Sequence, residues 1–105
     1  MVIWRGTTPK IQIVFKTVDP STITSAKLTF YTDQATILEK DLSSAEVGSN
    51  TLTWALSQEE TLSITWPPKK ALKAICNYLT SDGTRGVSVE DTVGFKKNPV
   101  NEVMS

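Results

Sequence analysis

Residues 51–56 read TLTWAL, and apolar side chains alternate there with Thr or Ala. Leu52, Trp54 and Leu56 share one side of an extended chain, because successive side chains of a strand point to opposite faces. This period of two predicts a half-buried β-strand whose inner side carries Trp54 into the core.

The residues after this strand predict a short helical turn. Ser57 is followed three residues later by Glu60, which is the spacing of a capping box. We expect the turn over residues 58–63. Trp66-Pro67-Pro68 prevents a longer helix, because proline lacks the backbone N–H and restricts the residue before it.

Several other stretches alternate in the same way. Asp82-Gly83 predicts a hairpin between the last two runs, and this favours a strand for residues 69–79, which could otherwise form an amphipathic helix. Residues 43–50 are predicted to be a polar loop. The predicted strands are residues 11–16, 25–33, 36–42, 51–56, 69–80 and 85–97.

These elements predict an all-β fold. We expect an antiparallel β-sandwich of immunoglobulin-like type, with about six to seven strands and one short helical turn near residues 58–63. A chain of 105 residues suffices for one domain. We expect residues 1–8 to form an N-terminal arm or cap, residues 9–97 the single sandwich domain, and residues 98–105 a C-terminal tail.

The composition argues against several kinds of site. Eleven Lys and Arg balance 11 Asp and Glu, so no net charge attracts nucleic acid or anionic lipid. The chain has no histidine, which excludes histidine-dependent triads, dyads and zinc sites. No apolar run is long enough for a transmembrane helix, and the first residues lack a secretory pattern. We therefore expect no enzyme activity, cofactor, bound metal, nucleic-acid partner or membrane insertion.

Two groups of reactive side chains have a simpler structural interpretation. Cys76 could be a nucleophile, but its place on the apolar side of a predicted strand favours a small buried residue. Glu59-Glu60 and Glu90-Asp91 could form a glycosidase pair or a calcium site. A helical first turn explains the first pair and a strand with a bulge accommodates the second. The lysines at residues 69, 70, 73, 96 and 97 fit a solvated face.

The three tryptophans have different expected roles. Trp54 belongs to the core by its alternation with leucines, whereas Trp66 beside two prolines is either a loop plug or an exposed contact. Trp4 precedes the first predicted strand and either caps the sandwich or docks on another subunit. An exposed pair of indoles could also form a platform for sugar.

Three motifs together carry a resemblance to a known family. They are Ile3-Trp4-Arg5-Gly6-Thr7-Thr8-Pro9, then LSQEETL at residues 56–62, then LTSDGT at residues 79–84. The chain resembles small structural proteins of tailed bacteriophages and prophages of Gram-positive bacteria, from the tail and baseplate region. It is also similar in kind to the N-terminal sandwich of baseplate upper proteins. The tail NPVNEVMS departs from the ending of that set.

The resemblance implies a non-enzymatic virion protein, made in the bacterial host cytoplasm and built into a tail or baseplate as a symmetric oligomer. Its partners would be copies of itself and other virion proteins. A capsid decoration protein and a carbohydrate-binding module for a host-surface glycan remain alternatives. The residues expected at protein interfaces are Ile3, Trp4, Arg5, Trp66, Val100, Val103 and Met104.

Overall fold

A computed structural model describes residues 2–4, 6–33, 35–64, 72–88, 91–96 and 104. The described residues form nine β-strands, one short α-helix and two single 3-10 turns. The helix α1 is Gln58–Leu62, and the 3-10 turns are Pro20–Thr22 and Leu42–Ser44. The strands are β1 Val2–Trp4, β2 Lys10–Val14, β3 Ile23–Tyr31, β4 Thr36–Asp41, β5 Ala45–Val47, β6 Thr51–Ala55, β7 Leu72–Thr80, β8 Arg85–Val87 and β9 Asp91–Lys96.

The strands form two sheets, and the fold is an all-β sandwich as predicted. The larger sheet has the order β1-β9-β7-β3-β4, with β8 also paired to β7, and the smaller sheet has the order β2-β6-β5. If β2 to β7 are lettered B, C, C′, D, E and F, and β8 and β9 together G, the sheets read B-E-D and G-F-C-C′. This is the strand order of an immunoglobulin-like sandwich.

Alternating side chains place the core between the sheets. On β3 the inner residues Ala26, Leu28 and Phe30 are buried, while Lys27 is exposed. On β6 the predicted inner residues Leu52 and Trp54 are fully buried. Among the described residues, the other buried apolar side chains of the core are Ile3, Ile11, Phe15, Ile23, Leu56, Ile64, Leu72, Ala74, Cys76 and Val93.

Both predicted local motifs are confirmed. The Ser57 hydroxyl accepts from the Glu60 N–H at 3.1 Å, and the Glu60 carboxylate accepts from the Ser57 N–H at 2.9 Å, which completes the capping box. In the hairpin between β7 and β8, Gly83 has a φ of 86°, which a residue with a Cβ adopts only with strain. These two motifs fix how β6 ends and how β7 pairs with β8.

The C-terminal run predicted as one strand is two strands in the structure. β8 pairs with Asn77–Leu79 and β9 with Leu72–Ala74, both along the same edge of β7. Between them Ser88 bonds Cys76 twice: the Ser88 hydroxyl accepts from the Cys76 N–H at 2.9 Å, and the Ser88 N–H donates to the Cys76 carbonyl at 2.8 Å. A side-chain oxygen thus replaces a backbone acceptor, and the regular ladder is interrupted there.

Two further predictions about pairing are wrong. Residues 45–47, expected in a polar loop, form β5 against β6, where half-buried Ala45 lies opposite Trp54. The expectation that every pairing is antiparallel fails at β1, which runs parallel to β9. Ile3 explains this pairing, because it is 1% exposed and its burial draws the N-terminal segment into the larger sheet.

Candidate interaction surfaces

The first candidate surface is the edge of the larger sheet formed by β1. Val2 and Trp4 point away from the core, and the Trp4 side chain is 48% exposed, whereas Ile3 between them is buried. Of the N-terminal residues predicted to make contacts, Ile3 thus serves the core of its own chain. Trp4 and its neighbour Val2 are the side chains of β1 that another molecule can reach.

A tight turn holds the Trp4 backbone in place. The Trp4 carbonyl accepts from the Thr7 hydroxyl at 2.6 Å and from the Thr7 N–H at 3.3 Å. Gly6 has a φ of 81° within this turn, so the glycine of the motif is required by the backbone geometry. Trp4 is therefore presented by a fixed strand and turn.

The two longest motifs in the sequence contact each other directly. The Thr61 hydroxyl, on α1, is fully buried and donates to the Thr7 carbonyl at 2.9 Å. The Leu56 N–H donates to the Pro9 carbonyl at 2.9 Å. The N-terminal motif and the LSQEETL motif therefore form one structural unit behind the β1 edge. Their separation of 54 residues between Thr7 and Thr61 gave no local signal of this contact.

The helix α1 also contacts the C-terminal residues. The Gln58 side-chain amide donates to the Met104 carbonyl at 2.9 Å and accepts from the Met104 N–H at 2.6 Å. Both hydrogen bonds involve backbone atoms of Met104, so they do not depend on its side chain, which is 68% exposed. The other predicted interface residues, Arg5, Trp66, Val100 and Val103, lie outside the described residues.

The helix is tied to the edge of the larger sheet by an ion pair. Lys40 of β4 donates to both carboxylate oxygens of Glu60, at 3.1 and 2.9 Å. Burial pushes the pKa of the Glu60 carboxyl up, but the hydrogen bonds from Lys40 and Ser57 and the charge of Lys40 outweigh it, so the pKa lies below 4.5. Glu60 thus closes the capping box and joins α1 to β4.

The second candidate surface is the outer face of the larger sheet, meaning the side of its strands that points away from the core. It includes Lys27, Thr29 and Tyr31 of β3 and Ile75, Asn77 and Leu79 of β7, with Arg85 and Val87 of β8 and Glu39 and Asp41 of β4 beside them. Val87 is 53% exposed, and Leu79 is also exposed. Two open grooves of about 330 and 590 Å³ lie on this face and share Asn77.

The outer face of the smaller sheet has a different character. This face carries exposed or half-exposed polar side chains, namely Lys10, Gln12, Thr51, Thr53 and Glu46. Its large apolar residue is Val14, which is 55% exposed. Polar and Thr side chains are what a solvated strand surface carries. The apolar residues are therefore distributed unequally between the two outer faces.

The reactive side chains weighed in the sequence have structural roles here. Cys76 is fully buried, and burial raises the pKa of its thiol to about 11, so the nucleophilic thiolate is strongly disfavoured. Glu59 and Glu60 lie in the first turn of α1, as predicted. Glu90 and the side chain of Asp91 lie outside the described residues. Among the residues described, no group of three or more metal-binding side chains is found.

A third groove, of about 270 Å³, lies between the loops that follow β2 and β7. Asp19 accepts from the N–H and hydroxyl of Ser21, and these hydrogen bonds lower the pKa of its carboxyl. Asp82 accepts from the Thr80 hydroxyl and the Thr84 N–H, and the pKa of its carboxyl falls to about 2. Both carboxylates are therefore engaged in holding their own turns.

The two tryptophans that the structure describes differ in burial. Trp54 is fully buried, as predicted, and its indole N–H donates to the Asp41 carbonyl at 2.9 Å. It is therefore unavailable for a sugar platform. Trp66 lies outside the described residues, and Trp4 is half-exposed at the β1 edge.

Comparisons with known proteins do not assign this chain to a family. No family model matches this chain, and no curated protein matches it either. In the described part of the chain, no helix is long and apolar enough to cross a membrane.

Proposed function

We propose that this chain is a non-enzymatic structural protein of a tailed-bacteriophage virion, a tail or baseplate component that assembles with copies of itself. The observation that carries the proposal is the contact between two of the three motifs on which the resemblance depends. Thr7 and Thr61 join them, and the unit they form holds Trp4 exposed at the edge of the larger sheet.

The chemistry of the described residues supports a contact role over a catalytic one. The thiol of Cys76 is buried and held protonated, and the carboxylates of Asp19, Glu60 and Asp82 bind groups of their own chain. An exposed tryptophan on a rigid strand is, by contrast, a typical anchor for a protein interface. A capsid decoration protein would use the same chemistry, so the position in the particle distinguishes it.

The glycan-binding module is a second candidate because Trp4 offers one exposed indole face. Among the described residues Trp4 is the one exposed indole, since Trp54 is enclosed in the core, and a single indole gives little selectivity. We therefore place it below the structural role. Glycan binding by the purified chain that is lost in Trp4→Ser, together with absence of the chain from particles, would favour this candidate.

The proposal is tested by mass spectrometry and electron microscopy of purified particles from the phage or prophage that encodes the chain. We expect the protein at a fixed copy number, located in the tail or baseplate. Trp4→Ser should lower its incorporation about tenfold or more, the size expected when an interface anchor is lost. Val14→Ser, an exposed apolar residue on the smaller sheet, is the matched control. Absence of the wild-type chain from the particles would refute the proposal.

A further inference from the structure

The outer face of the larger sheet carries opposite charges on opposite sides. Asp41 lies on β4 at one side and Arg85 lies on β8 at the other, with β3 and β7 between them. Among the described residues neither side chain forms an ion pair within the chain. From the described part of the chain, the Asp41 carboxylate accepts one hydrogen bond, from the Ser43 hydroxyl at 2.6 Å. Both charges are exposed and available to another molecule.

The strip between these charges is largely apolar or uncharged. Tyr31, Ile75, Leu79 and Val87 project from it, and Asn77 lies at the junction of the two grooves. The strip also carries two lysines: Lys27 is paired with Glu39 at 3.0 Å, and half-buried Lys73 of β7 lies opposite Tyr31. An apolar centre flanked by charges is the arrangement found in protein interfaces.

We propose that this face binds the same face of a second copy, around a two-fold axis that runs along the strands between β3 and β7. The strand order then determines which strands of the two copies face each other: β4 of one copy lies over β8 of the other, and β3 lies over β7. Rotation about an axis parallel to the strands does not shift residues along the strands, so residues at the same height in the two copies face each other.

The register identifies the charges that meet. Asp41 lies opposite Lys27, Lys27 opposite Asn77, and Asn77 opposite Val87, so these four residues form one row across the sheet. Asp41 of one copy thus lies over Val87 of the other. Arg85 is one same-face step further along β8, about 7 Å away, which its long side chain spans. The two-fold axis forms this pair twice.

The second copy is the occupant that the charges favour. A face with one sign of charge would repel its own copy, whereas opposite signs placed on either side of the axis make the face complementary to itself. The available area also suits a dimer. The two central strands β3 and β7 are nine residues long, and four strand positions of each copy overlap. This gives roughly 600 Å² of face, which approaches the about 800 Å² per partner of a standard interface.

This inference rests on the proposed self-assembly and is independent of the location in the virion. It is tested by sedimentation equilibrium of the purified full chain over a range of concentrations. We expect a monomer–dimer equilibrium for the wild type. Arg85→Glu and Asp41→Lys should each weaken dimerisation about tenfold or more, because each puts like charges together at both ends of the interface.

The double variant Asp41→Lys with Arg85→Glu exchanges the two charges and should restore the dimer constant to within about threefold of the wild type. Lys10→Glu and Glu46→Lys make the same kinds of reversal on the outer face of the smaller sheet, and they should leave the constant unchanged. Circular dichroism of each variant verifies that it folds, which the exposure of these side chains leads us to expect.

A wild-type chain that stays monomeric at all concentrations would overturn the inference. So would a dimer that ignores both single reversals, or single losses that the double variant fails to restore. Binding of a different virion protein to this face without self-association would likewise overturn it. A monomer that is nevertheless built into particles refutes this inference alone, whereas a face-dependent dimer absent from particles refutes only the proposed virion role.

Discussion

The two sheets resemble each other on the inside and differ on the outside. Both inner sides present buried apolar side chains at every second position, such as Leu28 and Phe30 on β3 and Leu52 and Trp54 on β6. On the outer faces, the larger sheet exposes several apolar residues, whereas the smaller sheet presents mostly Thr, Gln and charged residues. Folding explains the inner pattern fully. Folding does not require the apolar outer residues, and we propose that they mark where the molecule contacts another one.

The two described tryptophans give the largest expected contrast. Trp54→Ala removes a fully buried indole from the smaller sheet and one of the two hydrogen bonds that the Asp41 carbonyl accepts, the other coming from the Ser44 hydroxyl. We expect it to lower the free energy of unfolding by about 3–5 kcal/mol. Trp4→Ala, on the outer face of the larger sheet, should change it by less than about 1 kcal/mol. Urea unfolding of both variants measures the difference, and a similar loss in both would show that Trp4 is a core residue.

Neighbouring positions on β8 test the difference between inward-facing and outward-facing residues within one strand. A Cβ at Gly86 would collide with the ring of Tyr78, which packs edge-on against Phe15 with the ring centroids 5.3 Å apart. Gly86→Ala should therefore displace the contact that joins β7 to the end of β2, at a cost of about 1–3 kcal/mol. Val87→Ala, on the exposed side, is the control and should be nearly neutral. Thermal unfolding resolves the two, and equal stability of both variants would contradict the packing described.

Much of the local structure could be predicted from the sequence, and the pairings between distant segments could not. The alternation in residues 51–56, the Ser57–Glu60 spacing and Asp82-Gly83 act within a few residues, so β6, α1 and the last hairpin were visible. The parallel pairing of β1 with β9 joins two segments that are far apart in the sequence, and no local pattern predicts it. The break at Ser88 depends on one hydroxyl replacing a backbone acceptor, which periodicity does not register.

The candidate surface was only partly visible for the same reason. Trp4 was identified because an apolar residue before the first predicted strand lacked an evident role. Asp41, Arg85 and Val87 were overlooked, because each is an ordinary strand residue until the strand order brings them to one face. Their signal is the combination of outward position and register, which requires the topology.

Glu60 tests the connection between the sheets, with a smaller expected effect. Glu60→Ala removes half of the capping box and the ion pair with Lys40, and we expect a loss of about 1–2 kcal/mol. Glu60→Gln can retain an acceptor for the Ser57 N–H, so it should lose less. Urea unfolding at neutral pH separates the two, and identical losses would mean that the cap contributes nothing.

The same site predicts a pH dependence. The folded-state pKa of Glu60 is lowered from 4.5, so its contribution to stability is present above that value and is lost as the pH falls through the lowered pKa. The stability difference between wild type and Glu60→Gln should therefore shrink on acidification. A difference that grows as the pH falls would contradict the assignment.

The smallest effect is expected at the ion pair on the outer face of the larger sheet. Lys27 and Glu39 are 3.0 Å apart, with side chains 59% and 44% exposed, so solvent screens their attraction. Lys27→Ala should lower the free energy of unfolding by no more than about 1 kcal/mol. The melting temperature at low and high salt checks this, and a loss comparable to that of Trp54→Ala would show that this face is packed rather than solvated in the free chain.

Hydroxyl-radical footprinting most directly tests whether the outer face of the larger sheet is the contact surface. The method reports the solvent exposure of individual side chains, and it can be applied to the dilute chain and to the assembled protein. We expect Leu79 and Val87 to lose reactivity on assembly, while Val14, on the outer face of the smaller sheet, stays as reactive as before. Protection of Val14 with unchanged Leu79 and Val87 would contradict the account.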